Sequence, residues 1–528
     1  MQAAAALPTP LPDASARLAA LAAQARGERA LLAFPDRSWV RPAGDEVLDV
    51  LIVGAGQSGL GLCAALRAQG VDRVAVLDRA PVGAEGVWET FARMPELRTP
   101  KTLNGLDLGQ PSLSVQRWYA ARFGEAAWQA IDRVPRPLWM DYLRWYRDTL
   151  DLRVENGVEV LDIRPDAIEG QLLRVTTRAT ASLSGSPSAS PSVSPSSAAS
   201  DAPSLDAPAP LTVRRVRHVV LATGMDGAGA WRVPDFIARA LPAARCHHSS
   251  DAIDFGALAG QRVAVLGHGA SAFDNAVAAL RAGARSVDLC FRRARLPRVN
   301  PHRTLETAGT MTHYARLSDA TRWQIACHFR EVDQPPPRGS FRLALSMPGF
   351  ALHPGCGWDA VRWTGDEIAL STPRGELRVD HVICATGQAF DLAARPELAA
   401  LAPLIARWAD RYAPPATQAS ELLAAHPYLG EHYEFQPRDA KDAWVSRVHA
   451  FNGASYVSHG PHSTSISGHK HALPRLVRGL TQQLFLAQED HLLADLRAPA
   501  EPELDLPDDF EAQAAARGAA RFLSLEAA

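Results

Sequence analysis

Lysine is nearly missing from this 528-residue chain: Lys101, Lys441 and Lys470 are the only three, and arginine carries the rest of the positive charge. No single arginine therefore marks a site by itself. Cysteine is sparse and scattered, at Cys63, Cys246, Cys290, Cys327, Cys356 and Cys384, with no C-x-x-C or other close pair. That spacing argues against a zinc cluster and against a disulfide framework. Within residues 300–374, no pair among His302, His313, His328 and His353 has metal-ligand spacing on a helix, so no metal is expected. No apolar run is long enough to cross a bilayer. The Ala-rich start has no Lys or Arg before Arg17 and so lacks the charged front of a signal peptide. Neither sign of charge dominates, at a net −2, so nothing points to nucleic acid or an anionic membrane as a partner. The expectation is a cytoplasmic protein of two or more domains.

The densest signal lies in residues 47–80. Val47 to Val53 is an apolar run of the kind buried in parallel sheets. It ends on Gly54, and Gly54, Gly56 and Gly59 give G-x-G-x-x-G. Helical spacing follows from Leu60 to Ala68, and a second strand from Val74 to Leu77 ends on Asp78. This is a complete βαβ unit for a dinucleotide. Gly54 makes the turn, Gly56 admits the pyrophosphate, and Gly59 lets helix and strand pack closely. The free N–H groups at the helix start, around Gln57 and Ser58, bind the pyrophosphate. Asp78, with Arg79 beside it, is placed for a ribose. Gly86 and Trp88 lie where the dinucleotide would extend.

A second motif stands at Gly267, Gly269 and Ala272, with Ser271 at the start of a helix running to about Ala282. The next strand, Val287 to Phe291, ends in Arg292 and Arg293 where an acid would mark NAD. Paired arginines there can hold the 2′-phosphate of NADP. Two strands ending in Ala-Thr-Gly, residues 218–224 and 381–387, bracket this motif. Residues 1–45 read as an appended arm, with Asp13 placed to cap a helix through Leu18, Leu21 and Ala25. Residues 138–150 read as a packing helix, and 154–163, 172–177 and 213–221 as strands. Residues 181–210 are Ser, Pro and Ala, a disordered insertion in a hairpin loop. Residues 451–487 give a Ser-, His- and Gly-rich loop leading into a helix from about His471. A helix start stabilises the negative charge a flavin carries at its N1–C2 edge. No G-x-S-x-G elbow accompanies the Ser-His pairs, which sets aside a hydrolase.

Two dinucleotide motifs, each followed by an Ala-Thr-Gly strand, resemble the two-dinucleotide-binding flavoproteins, and among them the class B flavin-dependent monooxygenases. That family includes flavin-containing, Baeyer–Villiger and N-hydroxylating monooxygenases, and the resemblance covers roughly residues 48–490. It implies an α/β fold of two Rossmann-like domains, the NADPH domain inserted into the FAD domain. The layout would be an extension (1–45), the first part of the FAD domain (46–230), the NADPH domain (231–374), the second part of the FAD domain (375–490) and a tail (491–528). It implies FAD on Gly54, Gly56, Gly59 and Asp78, and NADPH on Gly267, Gly269, Ser271, Arg292 and Arg293. Gly86 and Trp88 match the family's Gly-Gly-x-Trp in part, since Glu85 replaces the first glycine. His248-Ser249 stands where the F-x-G-x-x-x-H fingerprint ends, but Pro242 and Ala244 break its start.

The implied activity is oxygen transfer from O2 to a small organic substrate through a flavin C4a-(hydro)peroxide. N-oxygenation, S-oxygenation and Baeyer–Villiger insertion stay open, and no catalytic side chain is assigned. Lys101, Asn104 and Ser463–Ser465 are candidates for the flavin edge. Two other readings stand beside this one. One is an NADPH oxidase or quinone-type reductase that oxygenates nothing; the other is a non-catalytic flavin-binding redox sensor. A disulfide reductase is disfavoured because no cysteine lies between Asp78 and Cys246.

Overall fold

A computed structural model of the chain describes residues 7–32, 38–103, 105–180, 210–498 and 503–522. Within Met1–Gln482 the chain builds two sheets in sequence, each begun by one of the glycine motifs. In the first, β1 (Val47–Val53) pairs in parallel with β2 (Val74–Asp78), which pairs with the short β3 (Glu155–Asn156). The helix Gln57–Arg67, here the first-motif helix, connects β1 to β2. β4 (Val158–Pro165), β5 (Leu173–Ala179) and β6 (Leu211–Leu221) form an antiparallel meander. β6 then runs parallel to β1 on the side away from β2. The connection between β5 and β6 carries the Ser/Pro/Ala segment, whose residues 181–209 lie outside the described residues. Val50, Leu51 and Ile52 are fully buried, as a parallel strand covered on both faces requires.

The chain leaves through β7 (Gly229–Trp231) and enters a second sheet. This contains β8 (Cys246–His248), β9 (Arg262–Leu266), β10 (Ser286–Phe291) and β11 (Phe350–Pro354). β12 (Ala360–Trp363), β13 (Ile368–Thr372) and β14 (Gly375–Val379) make a separate antiparallel sheet. β15 (His381–Cys384) returns to the second sheet beside β9, giving the all-parallel order β11-β10-β9-β15-β8. Side chains alternate along β9 as strand geometry demands. Val263 and Val265 pack with Phe273 and Ala276 of the second-motif helix, Ala270–Arg281. Ala264 instead joins Ile368 and Leu370 of the antiparallel sheet. β16 (Gln388–Phe390) then pairs antiparallel with β7, so exit and re-entry lie side by side. The chain rejoins the first sheet at β17 (Val448–His449), parallel to β6. The second Rossmann-like region is thus inserted into the first.

The N-terminal arm is fastened down. Its helix, Ala14–Leu32, buries Leu21 and Ala25. The Gln110 amide donates to the Ala25 carbonyl at 2.6 Å, and the Trp39 indole N–H to the Gln69 carbonyl at 2.7 Å. Residues Gln483–Ala528 form a second unit with helices Glu489–Arg497 and Phe510–Phe522. Among the described residues no helix is long and apolar enough to cross a membrane.

Candidate active site

Strand order reverses at β1 in the first sheet and at β9 in the second, and an open α/β sheet takes its ligand at such points. At the first, Gly54 sits at φ +103°, and a Cβ there would lie 2.5 Å from the Ala222 carbonyl oxygen. A Cβ on Gly59 would lie 1.9 Å from the Gly54 backbone oxygen, so helix and strand meet this closely only because residue 59 is glycine. Gly56 faces Gly86 across a slot: a Cβ on Gly56 would approach the Gly86 Cα at 3.5 Å. Gly86 has φ +75°. No side chain caps the first-motif helix, so its leading N–H groups are left for a ligand. The Gln57 Oε1 atom is buried without a hydrogen-bond partner. These features fit a bound diphosphate.

Asp78 is buried, and its carboxylate accepts from Ala55 N at 2.7 Å and Ala80 N at 2.8 Å. Burial raises its pKa. It therefore pins the glycine loop, and its remaining lone pairs are what a ribose would meet. Arg79 is largely exposed and reaches Asp226 at 3.5 Å. Trp88 is buried edge-on to Trp139 at 6.3 Å. Glu85, the departure from the family's double glycine, is buried and has its own partners. Its carboxylate accepts from Arg147 at 2.6 Å, Asn156 at 2.8 Å and Gly83 N at 2.9 Å. Lys101 is taken up elsewhere: its ammonium donates to the carbonyls of Trp128, at 2.7 Å, and Gln129. Its charge is spent on a helix end, as a cation near a C-terminus favours. Asn104 lies outside the described residues.

The rest of the first cleft comes from distant segments. Asn452 donates to Thr223 Oγ1 at 3.1 Å, and Gly453 N to the Gly224 carbonyl at 3.0 Å, tying the first Ala-Thr-Gly loop to the chain after β17. Ser463 Oγ meets Ser455 Oγ at 2.8 Å, and Ser465 Oγ accepts from Gly468 N at 3.0 Å. The helix His469–Leu486, the 469 helix, begins there. A Cβ on Gly105 would lie 1.9 Å from the Ile466 oxygen, so this loop rests directly on the backbone of residue 105. Ser58 Oγ lies 2.8 Å from His469 Nε2. The motifs alone do not reveal Asn452 or His469, because each acts across several hundred residues of sequence.

The second site repeats the first. Gly267 sits at φ +141°, and a Cβ there would lie 2.4 Å from the Ala385 oxygen, the counterpart of Gly54 against Ala222. A Cβ on Gly269 would meet nothing within 4 Å, which leaves open space above that residue. Ala272 is fully buried, and no side chain caps the second-motif helix. Ser271 is exposed at its start. The two arginines part company. Arg292 is exposed and has no hydrogen bond or ion pair among the described residues. Arg293 donates to the carbonyls of Glu331 at 3.1 Å and Arg330 at 3.3 Å and lies 3.6 Å from Asp333. Asp333 also holds His268, inside the glycine loop, at 2.9 Å. These carbonyls end the helix Asp319–Val332, which buries Trp323 against Trp408, Leu423 and Val457. It is a strut from the NADP-motif loop to the segment that closes the first cleft.

His248, from the broken fingerprint, accepts from Ser250 N on Nδ1, so its Nε2–H donates to the Gly387 carbonyl at 3.1 Å. Its ring stacks on Trp231 at 5.4 Å between centroids. It thus fastens the second Ala-Thr-Gly loop to the paired crossing strands.

Two glycine loops at two switch points, with one sheet inserted into the other, define a flavoprotein that carries FAD and a nicotinamide dinucleotide. A family model described as FAD-NAD(P)-binding matches residues 51–182. Ornithine hydroxylase from Pseudomonas aeruginosa superposes with a TM-score of 0.61 at 21% identity, covering 83% of this chain and 100% of that one. L-lysine 6-monooxygenase from Pseudomonas syringae gives 0.58 at 18%, covering 82% and 99%. A FAD-dependent urate hydroxylase of Xanthomonas campestris pv. campestris is 44% identical over 459 residues, 86% of this chain and 90% of that protein. The chain belongs to the class B flavin-dependent monooxygenase family. It is an FAD- and NADPH-dependent monooxygenase acting with O2 on a small molecule.

Proposed function

We propose that the substrate is urate or a closely similar oxopurine. The observation that carries this is the 44% identity, sustained over 86% of the chain, to a FAD-dependent urate hydroxylase. A small cavity, with room for about one water molecule, lies beside the start of the 469 helix. Leu305, Met311 and Tyr314 line one side, and His459, His462 and Ser463 the other. A carbonyl only accepts, so His462 donates from Nε2 to the His302 oxygen at 3.0 Å.

In this reading FAD lies on Gly54, Gly56, Gln57, Ser58, Gly59, Asp78, Gly86 and Trp88. NADPH lies on Gly267, Gly269 and Ser271, with Arg292 on its 2′-phosphate. Bound, the two cofactors supply the hydride transfer and the activation of O2. The protein binds both, orients them and keeps water from the reacting centre. Tyr314 closes over Gly460, where a Cβ would lie 3.0 Å from its ring. Arg475 donates to the carbonyls of Met311 and Thr312, each at 2.6 Å, holding that wall against the 469 helix. The cytoplasm fits this assignment, since all six cysteines are free thiols.

The test is to follow NADPH, O2 and urate together with the purified holoenzyme. Urate should accelerate NADPH consumption and disappear one for one with it. NADPH oxidation that ignores urate and ends in hydrogen peroxide would instead support the oxidase reading.

A further inference from the structure

The contact between Ser58 and His469 joins the two ends of the first cleft. Ser58 is the second residue of the first-motif helix, whose start fits the diphosphate. His469 is the first residue of the 469 helix, at the loop that closes the cleft. Nothing in either motif pairs them. His469 is fully buried, and Ser58 is 8% exposed.

Hydrogen-bond accounting fixes the direction. His469 Nδ1 lies 2.5 Å from the Ser465 carbonyl oxygen, which can only accept, so Nδ1 carries the proton. Burial pushes the imidazole down to about 4, so it is neutral near pH 7. Nε2 is then an acceptor, and the Ser58 hydroxyl must donate to it. Ser58 accordingly has no proton left for a phosphate oxygen, and the backbone N–H groups of the first-motif helix serve the diphosphate alone. Phe451 packs edge-on to the ring at 5.7 Å, and Gly105 sits so close that a Cβ there would lie 3.0 Å from the His469 Cβ.

We propose that His469 is a positioning residue that locks the FAD diphosphate seat to the start of the 469 helix through the Ser58 hydroxyl. The two helix starts, both positive dipole ends, are thereby held in one frame along the length of the cofactor. The flavin end feels this bond through the direction in which the 469 helix points.

The test uses the full-length protein with His469→Leu, His469→Gln and Ser58→Ala. It measures the FAD dissociation constant and the midpoint potential of the bound flavin, neither of which depends on the substrate. His469→Leu and Ser58→Ala should each weaken FAD roughly tenfold, the size of one lost buried hydrogen bond. Each should also shift the potential to more negative values, because a displaced helix start stabilises charge at the N1–C2 edge less well. Gln keeps an acceptor for Ser58 and should recover most of both. The proposal is overturned if Leu and Ala bind FAD within about twofold of the parent, or if the potential stays fixed while only the melting temperature falls. If His469→Leu does not fold, Ser58→Ala carries the decision, since it removes a single hydroxyl.

Discussion

At the residue scale the glycines and arginines of the two motifs make separable predictions. A methyl at Gly59 would lie 1.9 Å from the Gly54 backbone oxygen, and neither partner is a side chain that can swing aside. Gly59→Ala should cost about 1–3 kcal/mol by forced backbone movement. It should also leave the purified protein largely free of FAD, read from the flavin-to-protein absorbance ratio. A fully loaded, equally stable variant would mean that the loop yields more easily than its contacts indicate. Arg292 and Arg293 are adjacent but differently employed. Arg292→Ala should raise the KM for NADPH about tenfold or more, one charged hydrogen bond's worth, and leave NADH nearly unchanged. Arg293→Ala frees the end of the Asp319–Val332 helix and should impair both coenzymes alike. Equal loss of NADPH and NADH in the Arg292 variant would displace it from the 2′-phosphate.

At the element scale the Asp319–Val332 helix is the part with most structural consequence and least sequence signal. Trp323→Ala empties the space between Trp408, Leu423 and Val457 and should cost about 3–5 kcal/mol. If the helix is the strut its contacts describe, the same change should raise the KM for NADPH, because Asp333 and the carbonyls on Arg293 move with it. A stability loss with unchanged NADPH kinetics would reduce it to packing. The contrast with the motifs shows what is legible in the sequence. β1, β2, β9 and both motif helices can be read to within a few residues, because their apolar runs and glycines are local. The paired Ala-Thr-Gly endings announce the strands that flank each motif. What cannot be read depends on contacts between distant residues. Glu85 reads as a damaged motif until Arg147 and Asn156 stand around it. Lys101 reads as a rare cation near the flavin, yet it caps a helix end. Residues 1–45 read as an appended arm, but they bury Leu21 and Ala25. The proposed oxopurine lies outside the open choice of N-oxygenation, S-oxygenation and Baeyer–Villiger insertion that the resemblance implies.

At the scale of the whole molecule, histidine governs the response to pH. Burial holds His302, His381, His426, His449 and His469 down to about 4 each, against an ordinary value of 6.5. Between those limits the unfolded chain binds protons that the folded chain refuses, so stability falls as pH falls. Each such group contributes a slope of about 1.4 kcal/mol per pH unit. Carboxylates raised by burial oppose them, Asp78, Glu96 and Glu434 among them, and Asp49 most clearly. Asp49 is 1% exposed, its oxygens lack hydrogen-bond partners, and Arg217 stands 3.5 Å away. Burial raises it from 3.8 to about 6, so its contribution is present at low pH and lost as pH rises through that value. The five histidines outweigh these carboxylates, and the melting temperature should climb steeply from pH 4 to pH 6.5 and then level off. Asp49→Asn should stabilise the fold at pH 8 by on the order of 1–3 kcal/mol and leave its stability unchanged at pH 4, where the acid is already protonated in the fold. Because His469 belongs to the same set, flavin release should accompany acid unfolding within the same interval. Calorimetry and flavin fluorescence across that range, at fixed FAD excess, check both. A melting temperature that is flat between pH 4 and 6.5 would mean that the buried imidazoles accept protons without leaving their partners.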